Sequence, residues 1–512
     1  MKKVLIIGSL LFASFAASAS SRVESACSDS LALACAKTVY SLPNVRFMHK
    51  VRTLSPHGKV IAVCNLPKGL KWNAKRQIVE GHVKEEGRYI YQIKVKEEDK
   101  VKCEDIRLTV SKDLQMPRPF MGWISWNAVQ DEISESIVKQ VVDLFHEKGL
   151  YDCGWNYVAL DDWWHAKHRA SNGLPQPNAQ RFPNGIAAVA RYVHSHGMKF
   201  GIYSDAAETT CAGAFGSYGY EQIDADQYAR WGVDLLKYDY CNAPIEKDSA
   251  FIRYKAMGDA LRKAGNNTRL YACEWGDRQP WTWAAEAGAC CWRVSADVRD
   301  CWNGVSGGEG LLQSIRDMKN LSAYTGVNRY NDADMLCTAL HGTGKSSNDL
   351  CGTGPGMTMD EYTSQFALWC MWSSPMALTF DPRSNQITED DYALMCNREL
   401  IALNQDPMGQ QADLISENDS ILILAKDLEN GDVAISATNM NDAEHYATFN
   451  FKQIPHLNGM KHFKVRDVVN QIDFPLNAKS KDFTVSVRPH ATVVFRLSRK
   501  RLLLSAKSFR PI

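Results

Sequence analysis

The sequence predicts an α/β protein built on a (β/α)8 TIM barrel, with one β-sandwich before the barrel and an antiparallel β-sandwich after it. Short runs of alternating polar and apolar residues fill both ends of the chain, which is typical of sandwiches. Between them, apolar strands alternate with amphipathic helices, which predicts parallel strands covered by helices. A chain of 512 residues is also too long to fold around one hydrophobic core, so several domains are expected.

Residues 1–19 have the order of a secretory signal. Lys2 and Lys3 precede the apolar stretch Val4 to Phe15, and the small residues Ala17-Ser18-Ala19 follow. The apolar stretch is shorter than the roughly 20 residues that span a bilayer, which disfavours the alternative of a membrane anchor. We therefore expect an exported protein, periplasmic or extracellular, whose mature chain has no membrane span.

Residues 20–113 are predicted to form the N-terminal sandwich. The runs Lys59 to Val63 and Tyr89 to Val95 alternate as half-buried strands do, and turn residues separate them. The stretch Leu66 to Trp72 resembles the immunoglobulin-like repeats attached to bacterial surface and secreted hydrolases. That resemblance implies an immunoglobulin-like β-sandwich, which would offer a contact with the cell surface or with a glycan.

Residues 114–406 are predicted to form the barrel, with a first strand near Gly122. Seven further apolar runs of strand length are Tyr157–Leu160, Lys199–Ser204, Val233–Tyr238, Arg269–Cys273, Trp292–Ser295, Asp334–Cys337 and Met376–Thr379. Segments with apolar residues three and four apart predict helices at Ser134–Lys148, Ile186–His196, Phe251–Ala264, Leu311–Tyr324 and Met359–Trp372. Eight such units fit a closed barrel.

Residues 407–500 are predicted to form the C-terminal sandwich, and residues 501–512 a basic tail. Short alternating strands return at Ile421–Leu424, Val433–Ser436, Ala447–Phe451 and Ala491–Phe495. The tail indicates no particular partner, and we expect a solvated terminus.

Charge and cysteine content exclude several classes of function. The chain has 59 basic and 58 acidic side chains, which is not the basic excess typical of proteins that bind nucleic acid or anionic membranes. A neutral substrate is therefore expected. Fifteen cysteines occur without a CxxC pair or a Cys/His cluster, so we expect disulfides and buried thiols rather than zinc. The acidic residues lack the spacing of a calcium loop, and neither a metal nor a cofactor is predicted.

Acidic residues stand near the carboxyl ends of the predicted strands, where barrel enzymes form their active sites. They are Asp161, Asp162, Asp205, Asp239, Glu274, Asp297, Asp332 and Asp334. One such residue is more often a helix cap than a catalyst, but caps do not explain a carboxylate at one strand end after another. Aromatic residues stand beside them at Trp123, Trp126, Trp163, Trp164, Tyr203 and Trp275. Carboxylates and aromatic platforms suit a neutral sugar, and glycosidic cleavage needs two carboxyl groups.

Eight motifs surround these residues: Met121–Asn127, Ala159–Trp164, Gly201–Asp205, Leu236–Asn242, Cys273–Gly276, Trp292–Asp297, Asn331–Met335 and Asn404–Pro407. In type and order they resemble the motifs of the α-galactosidases of glycoside hydrolase family 27. The likeness extends from about Pro119 to about Arg496. It implies an exo-acting hydrolase whose partner is an α-galactoside carbohydrate.

The resemblance implies two catalytic residues. Asp239 matches the family's nucleophile, and Asp297 matches its general acid/base. A carboxylate beside the cation of Lys237 is expected to stay ionised and attack the anomeric carbon, while Asp297 protonates the leaving oxygen and then activates water. Two inversions would give net retention of configuration.

The resemblance also implies the residues that bind the sugar. Asp161 and Asp162 would accept hydrogen bonds from the 4- and 6-hydroxyls, and Lys237 would hold the 3- and 4-hydroxyls. Arg293 would lie near the 2-hydroxyl. The remaining expected binding residues are Trp126, Tyr203, Glu274, Trp275 and Asp334.

Glu274 decides between two activities of the family. Members that cleave α-N-acetylgalactosamine typically have serine there and alanine three residues on, whereas this chain has Glu274 and Asp277. The larger side chains favour galactose with a free 2-hydroxyl. The alternatives are an α-N-acetylgalactosaminidase or a β-L-arabinopyranosidase on the same scaffold, and a catalytically inactive sugar-binding protein.

The cysteines match the disulfide pattern of the family only in part. It implies a Cys211–Cys241 disulfide between two active-site loops. A second bridge common in the family is missing, because Trp163 takes the place of one cysteine and the stretch Asn127 to Glu132 contains no partner. Arg278 has no role that the family assigns.

Overall fold

The computed structural model describes residues 32–304, 310–343, 355–458, 463–476 and 480–498. The expected signal, residues 1–19, and the basic tail, residues 501–512, lie outside these ranges. Within them, no helix has both the length and the apolar character needed to cross a membrane. The described chain comprises a β-rich N-terminal region, a parallel barrel and a C-terminal β-sandwich.

The N-terminal region has two sheets that share a core. Its strands are β1 Thr38–Ser41, β2 Arg46–Lys50, β3 Lys59–Cys64, β4 Leu70–Asn73, β5 Ile78–His82, β6 Gly87–Glu97 and β7 Lys100–Val110. One sheet has the order β1-β7-β6-β3, and the other β2-β5-β4. Alternate residues of β6, namely Tyr91, Ile93 and Val95, are fully buried in the shared core. The β-rich region is present as predicted, and its immunoglobulin-like relationship stays a prediction.

Eight strands form the parallel barrel sheet. They are β8 Met121–Ile124, β9 Tyr157–Ala159, β10 Lys199–Asp205, β11 Leu235–Asp239, β12 Arg269–Ala272, β13 Ala289–Arg293, β14 Tyr330–Asp332 and β15 Met376–Leu378. Neighbours follow chain order from β8 to β14, and β15 pairs with β8. A parallel bridge from Leu336 to Leu378 brings the segment after β14 against β15. The predicted (β/α)8 barrel is confirmed.

Helices connect and cover these strands. They are α1 Trp126–Val129, α2 Glu135–Glu147, α3 Ile186–Ser195, α4 Glu221–Trp231, α5 Lys247–Lys263, α6 Leu311–Met318, α7 Met359–Trp372, α8 Glu389–Met395 and α9 Arg398–Asn404. Ser134 caps α2, because its side chain accepts a hydrogen bond from the Ile137 amide. Ile137, Val141 and Phe145 are buried on one face of α2, which is the spacing that predicted it.

Two strands lie closer to the N-terminus than predicted. The sixth and seventh were expected at 292–295 and 334–337, but β13 begins at Ala289 and β14 ends at Asp332. The prediction for the seventh strand was wrong because β14 is polar and contains no apolar run. Asn331 is buried and satisfied inside the protein, where its Oδ1 accepts from Trp292 Nε1 at 2.7 Å.

The C-terminal strands are antiparallel. They are β16 Asp413–Glu417, β17 Ile421–Asp427, β18 Val433–Asn439, β19 His445–Asn450, β20 Lys464–Asp467, β21 Ile472–Phe474, β22 Asp482–Val487 and β23 Thr492–Ser498. A six-stranded sheet, β16-β17-β18-β23-β20-β21, faces the β19-β22 pair. Between them, the ring of Phe483 lies 4.9 Å from Phe449 and 5.2 Å from Phe495. The predicted C-terminal sandwich is confirmed.

The N-terminal region packs at the amino ends of the barrel strands. The Ala36 amide donates to the carbonyl of Ala323, in the turn that precedes β14. Lys50 Nζ donates to the carbonyl of Gln411, just before β16, at 2.7 Å. The carboxyl ends of the strands, where the predicted catalytic residues lie, are at the opposite end of the barrel.

Candidate active site

A cavity opens at the carboxyl ends of the barrel strands and encloses about 580 Å³ of empty space up to its mouth. Its wall is formed by Trp126, Asn127, Asp161, Asp162, Tyr203, Cys211, Lys237, Asp239, Trp275, Asp297, Asp334 and Met335. Nine of the eleven residues predicted for catalysis and binding are in this wall, and the exceptions are Glu274 and Arg293. Asn127 and Met335 were not predicted, although each directly follows a predicted residue in the chain.

Asp239 is the last residue of β11, and its side chain is held by two donors. The hydroxyl of Tyr203 donates to Oδ2 at 3.0 Å, and the amide of Tyr240 donates to Oδ1 at 3.0 Å. The strand register brings Tyr203 there, because Tyr203 of β10 pairs with Lys237 of β11. Asp239 is 5% exposed, so the cavity is its only contact with solvent. A fixed carboxylate at a cavity wall is suited to attack on a bound substrate.

Lys237 supplies a buried positive charge next to this carboxylate. Its Nζ donates to Asp161 Oδ2 at 2.6 Å. Burial disfavours the ammonium, but Asp161 and Asp239 outweigh burial and raise the pKa of Lys237 above its usual value. Lys237 therefore stays protonated. At Asp239 burial dominates, and together with the nearby charge of Asp297 it outweighs Lys237 and raises the pKa to about 6.

Arg293 lies behind the cavity wall and joins two of its carboxylates. The guanidinium is 3.2 Å from Asp297 Oδ1 and 2.9 Å from Asp334 Oδ1. Although desolvation opposes it, Arg293 and then Lys237 lower the pKa of Asp297 below its ordinary value. Asp334 has a pKa raised to about 6, because burial outweighs the attraction of Arg293 and Asp297 adds repulsion. Arg293 was expected near the 2-hydroxyl, and the structure places it as a support for Asp297 and Asp334.

Asp239 and Asp297 titrate as a pair that shares one proton. The pKa of Asp297 lies below its ordinary value and that of Asp239 at about 6, so the pair is singly protonated between them. Burial raises the pKa of Asp239 while Arg293 lowers that of Asp297, so these directions favour protonation of Asp239, which is the reverse of the expected catalytic arrangement. The side chain of Asp297 is 43% exposed, so a sugar that covers it would remove water and favour its neutral form.

Asp161 and Asp162 follow β9 and experience different environments. Burial raises the pKa of Asp161 in spite of the contact with Lys237. Asp162 accepts hydrogen bonds from the amides of Trp163 at 2.7 Å and Ala212 at 2.9 Å. Its pKa is lowered, because the nearby His165 and then the Ala212 amide outweigh burial. Asp162 therefore presents an ionised acceptor that is tied to the loop after β10.

Two strand-end carboxylates support the backbone instead of reaching the cavity. Asp205 accepts from the amides of Ala207 at 2.8 Å and Cys241 at 2.9 Å. Asp332 accepts from the hydroxyl of Tyr271 and from the amide of Asp334 at 3.0 Å. They stand at strand ends, as the sequence indicated, but they shape the loops that carry the other carboxylates.

Glu274 is fully buried and does not reach the cavity wall. Its Oε2 accepts from the amide of Arg278 at 2.9 Å and from the guanidinium at 3.2 Å. The guanidinium also lies 4.7 Å from the ring centre of Tyr240. Burial raises the pKa of Glu274 to about 7 against the attraction of Arg278. Glu274 was expected beside the 2-hydroxyl and Arg278 was given no role, whereas the structure pairs Arg278 with Glu274.

The expected aromatic platforms divide into buried and exposed residues. Trp123 and Trp164 are fully buried, and their indole nitrogens each donate to a backbone carbonyl at 2.8 Å. The expectation was wrong for these two, because sequence position next to a carboxylate does not fix the face on which a ring lies. Trp126 and Trp275 line the cavity, and Trp163 is 38% exposed.

Two disulfides join described cysteines. Cys211 in the loop after β10 is bonded to Cys241 after β11, as the resemblance implied. Their sulfurs lie within 4.8 Å of two carboxylates, but a disulfide offers no thiolate to a metal ion. The second bridge, Cys153–Cys396, was not predicted, because sequence alone does not pair cysteines 243 residues apart.

The fold and the cavity together define a class of enzyme. A parallel barrel presents two carboxyl groups that share a proton, buried cations that control it, and exposed aromatic rings. Cleavage of a glycosidic bond needs two carboxyl groups beside that bond, and the cations and aromatic rings suit the binding of a neutral sugar. The molecule is a glycoside hydrolase with a barrel catalytic domain.

Comparison with known proteins gives the family. The family described as Alpha galactosidase A matches residues 118–406, and the Alpha galactosidase C-terminal beta sandwich domain matches residues 418–497. The chain therefore belongs to the α-galactosidase A family.

Relatives cover most of the chain. The α-galactosidase A of Cellvibrio japonicus is 34% identical over 395 residues, which are 74% of this chain and 92% of that protein. A Bacteroides fragilis crystal structure assigned as an α-galactosidase/melibiase is 36% identical, with a TM-score of 0.71 over 91% of this chain and 98% of its own. The α-galactosidase I of Mortierella vinacea is 29% identical, with a TM-score of 0.68 over 76% of this chain and 98% of its own.

Proposed function

We propose that the protein is a retaining, exo-acting α-galactosidase that removes terminal α-linked D-galactose from oligosaccharides, polysaccharides or glycoconjugates. The observation that carries the proposal is the placement of Asp239 and Asp297 in the wall of one cavity, with Lys237 and Arg293 beside them. Family membership supports the same activity. A concave site that combines aromatic rings with a few polar and charged groups is typical of small-ligand pockets and suits a single terminal sugar.

The reaction proceeds in two displacements. Asp239 attacks C1 of galactose while Asp297 donates its proton to the glycosidic oxygen, so the C1–O bond breaks and the aglycone leaves with that proton. The product of this step is a β-galactosyl ester of Asp239. Asp297, now ionised, takes a proton from water, whose oxygen attacks C1 and breaks the ester. Inversion occurs twice, so α-galactose is released with retained configuration.

Substrate binding must move the shared proton from Asp239 to Asp297. The two arrangements have the same total charge, so the cavity as a whole need not gain or lose a proton. A bound sugar removes water from Asp297 and so favours its neutral form, while Lys237 and the Tyr203 hydroxyl remain to stabilise ionised Asp239. The reactive arrangement is therefore favoured only when the cavity is filled.

Galactose is distinguished from glucose by its axial 4-hydroxyl. We assign Asp161 and ionised Asp162 as the acceptors for the 4- and 6-hydroxyls. Oδ2 of Asp161 also accepts a hydrogen bond from Lys237. A wrong epimer would leave a buried acceptor or cation unpaired, at a cost of about 1 to 3 kcal/mol. This polar corner is the basis of the proposed preference for galactose.

Glu274 is expected to exclude the N-acetyl group of α-N-acetylgalactosaminides. Glu274 is buried against Arg278 behind the cavity wall, and a serine in its place would leave room there that the larger side chain occupies. We expect kcat/KM to favour p-nitrophenyl α-galactoside over its α-N-acetylgalactosaminide by at least about a hundredfold. Replacement of Glu274 by Ser and Asp277 by Ala should narrow this preference. Equal values for the wild-type enzyme would contradict the assignment.

A panel of chromogenic glycosides tests the proposed activity directly. Purified protein should cleave the α-galactoside fastest, and proton NMR should show α-galactose as the first product. Faster cleavage of the β-L-arabinopyranoside or the α-N-acetylgalactosaminide would assign the alternative activity. Galactose binding without cleavage of any member would indicate a sugar-binding protein.

We also propose export to the periplasm or the extracellular space, on the signal-like order of residues 1–19. An exported enzyme would meet galactosides outside the cytoplasm, and the N-terminal region would contact the cell surface or a glycan there. N-terminal sequencing of the protein from cell fractions tests both cleavage near Ser20 and location. An uncleaved chain in the cytoplasm would contradict the proposal.

A further inference from the structure

We infer that Trp163 is the platform of a second sugar subsite, which binds the saccharide on the leaving-group side of the scissile bond. This inference rests on the proposed function and adds the class of aglycone to it. An exo-acting cavity holds one terminal sugar, so the rest of the substrate must leave through the mouth. An exposed aromatic ring beside that mouth would meet the aglycone.

Trp163 directly follows Asp162 of the cavity wall in the chain, and the contact of its ring with Arg181 locates the ring. Its amide donates to Oδ1 of Asp162, a residue of the cavity wall, at 2.7 Å. On its other side the ring faces the guanidinium of Arg181, which is 5.9 Å from the ring centre. Arg181 in turn donates to the carbonyl of Asp131 at 2.7 Å, in the turn that follows α1 and its wall residue Trp126. The ring therefore lies between the loops after β8 and β9.

The state of Trp163 differs from that of the tryptophans around it. Trp123 and Trp164 are fully buried, whereas Trp163 exposes 38% of its surface. Its φ of 72° lies in the left-handed region, which bulky side chains rarely occupy. Such conformations persist where the surroundings fix them and are frequent at ligand clamps. Folding alone gives no reason to expose the largest side chain in this conformation.

The neighbours of the ring favour a sugar over an apolar aglycone. A pyranose has one face of C–H groups, which stacks on an aromatic ring, and an edge of hydroxyls, which needs donors and acceptors. The half-buried guanidinium of Arg181 and the exposed Asp131 supply both beside Trp163. An alkyl or lipid aglycone would leave these polar groups without a partner.

Two substrates separate the subsite from the catalytic cavity. α-Galactosyl fluoride has no sugar as its leaving group, whereas raffinose extends beyond the galactose by two sugars. Asn and Gly both tolerate positive φ, so replacing Trp163 by either removes the ring without straining the backbone. Trp163→Tyr keeps an aromatic platform. The measured quantity is the ratio of kcat/KM for raffinose to kcat/KM for the fluoride.

We expect Trp163→Asn and Trp163→Gly to lower this ratio by roughly three- to tenfold, the value of a lost aromatic contact, and Trp163→Tyr to keep it within about twofold. A ratio unchanged in both Asn and Gly variants would overturn the subsite. An equal loss of this ratio in Trp163→Tyr would also overturn the subsite, because it would show that an aromatic ring at this position does not act as a platform. Wild-type protein that leaves the fluoride intact would instead overturn the proposed function.

Discussion

Arg293 and Lys237 are buried cations that contact the carboxylates around the cavity. Arg293 bridges Asp297 and Asp334, and Lys237 contacts Asp161 while facing Asp239. Both cations are almost fully buried, Arg293 behind the cavity wall and Lys237 within it, so their charges act at a lower effective dielectric than in water. At the scale of single residues, the chemistry depends on which of the carboxyl groups near these cations is protonated.

Asp239→Asn should abolish turnover while galactose still binds. The amide keeps the shape and an acceptor for the Tyr240 amide, and its NH2 group can donate to the Tyr203 hydroxyl, but it cannot form the glycosyl ester, so we expect kcat to fall by at least about a thousandfold. Calorimetric titration with galactose measures the retained binding. Azide should rescue Asp239→Gly and give β-galactosyl azide, which reports the face of attack. Near-normal turnover of Asp239→Asn would rule out the nucleophile.

The pH profile should reveal the shared proton. Raffinose needs an acid for its leaving group, so kcat/KM should fall as pH rises through about 6, where the pair loses its last proton. The sign follows because only the singly protonated pair can both attack and protonate. In Asp297→Asn, assayed with α-galactosyl fluoride, this basic limb should disappear. A limb that persists near the same pH would assign it to Asp334 instead, whose pKa is also raised to about 6.

At the scale of elements, the loops after β10 and β11 are tied together beside the nucleophile. Cys211 and Cys241 join them, and Asp205 holds the Cys241 amide at 2.9 Å. The other disulfide lies elsewhere, between the turn after α2 and the residue that ends α8, at Cys153 and Cys396. Removal of each disulfide in turn therefore compares a bridge between the loops beside the nucleophile with a bridge elsewhere in the fold.

Replacing Cys211 and Cys241 by Ser should lower both stability and activity. Chain entropy for a 30-residue separation gives a loss of about 3 to 4 kcal/mol, and the freed loops carry the backbone around Asp239. The matched control, Cys153→Ser with Cys396→Ser, should lose about 5 kcal/mol in the same treatment but keep kcat/KM in the folded protein. Denaturant unfolding and galactoside hydrolysis measure the two effects. Peptide mapping of unreduced protein that finds Cys211 and Cys241 as free thiols would contradict the bridge.

At the scale of the whole molecule, buried charges join the N-terminal region to the C-terminal sandwich. Lys50 of β2 is 4% exposed and lies 2.9 Å from Oδ1 of Asp413, the first residue of β16. Asp413 also contacts His456 at 3.0 Å. Burial lowers the pKa of Lys50, whereas Lys50 and His456 outweigh burial at Asp413 and strongly lower its pKa. The N-terminal region and the C-terminal sandwich are thus joined by a buried ion pair to which each contributes one charge.

Lys50→Met should destabilise the molecule by about 3 to 5 kcal/mol, because it leaves the buried charge of Asp413 without its closest cation. The control Lys37→Met removes one of the two lysines paired with Glu104, in a pair in which Lys37 is 44% exposed, and should cost less than about 1 kcal/mol. Urea unfolding measures both.

This difference should also depend on pH. The pKa of Asp413 is depressed in the folded state, so its contribution is complete above the unfolded value of about 3.9 and is lost as pH falls below that. The gap between Lys50→Met and the wild-type protein should therefore narrow in acid. A gap that stays constant, or equal losses for Lys50→Met and Lys37→Met, would show that the interface does not rely on this pair.

The sequence by itself determined the barrel, the C-terminal sandwich and most of the cavity wall. Apolar periodicity is a local property, so the strands near Tyr157 and Lys199 and the helix from Met359 could be predicted from it. In a parallel barrel, residues at carboxyl ends of strands converge whatever the loops do. That rule brought Asp161, Asp239 and Asp297 into one cavity from positions 136 residues apart.

Only the tertiary structure decided which strand-end side chains line the cavity. Arg293 and Glu274 are at the expected positions in the chain but turn to Asp334 and Arg278, because each buried charge is oriented by its nearest partner of opposite sign. The polar strand that contains Asn331 escaped prediction for a related reason. Its side chain is satisfied by residues distant in sequence, and periodicity carries no information about such partners.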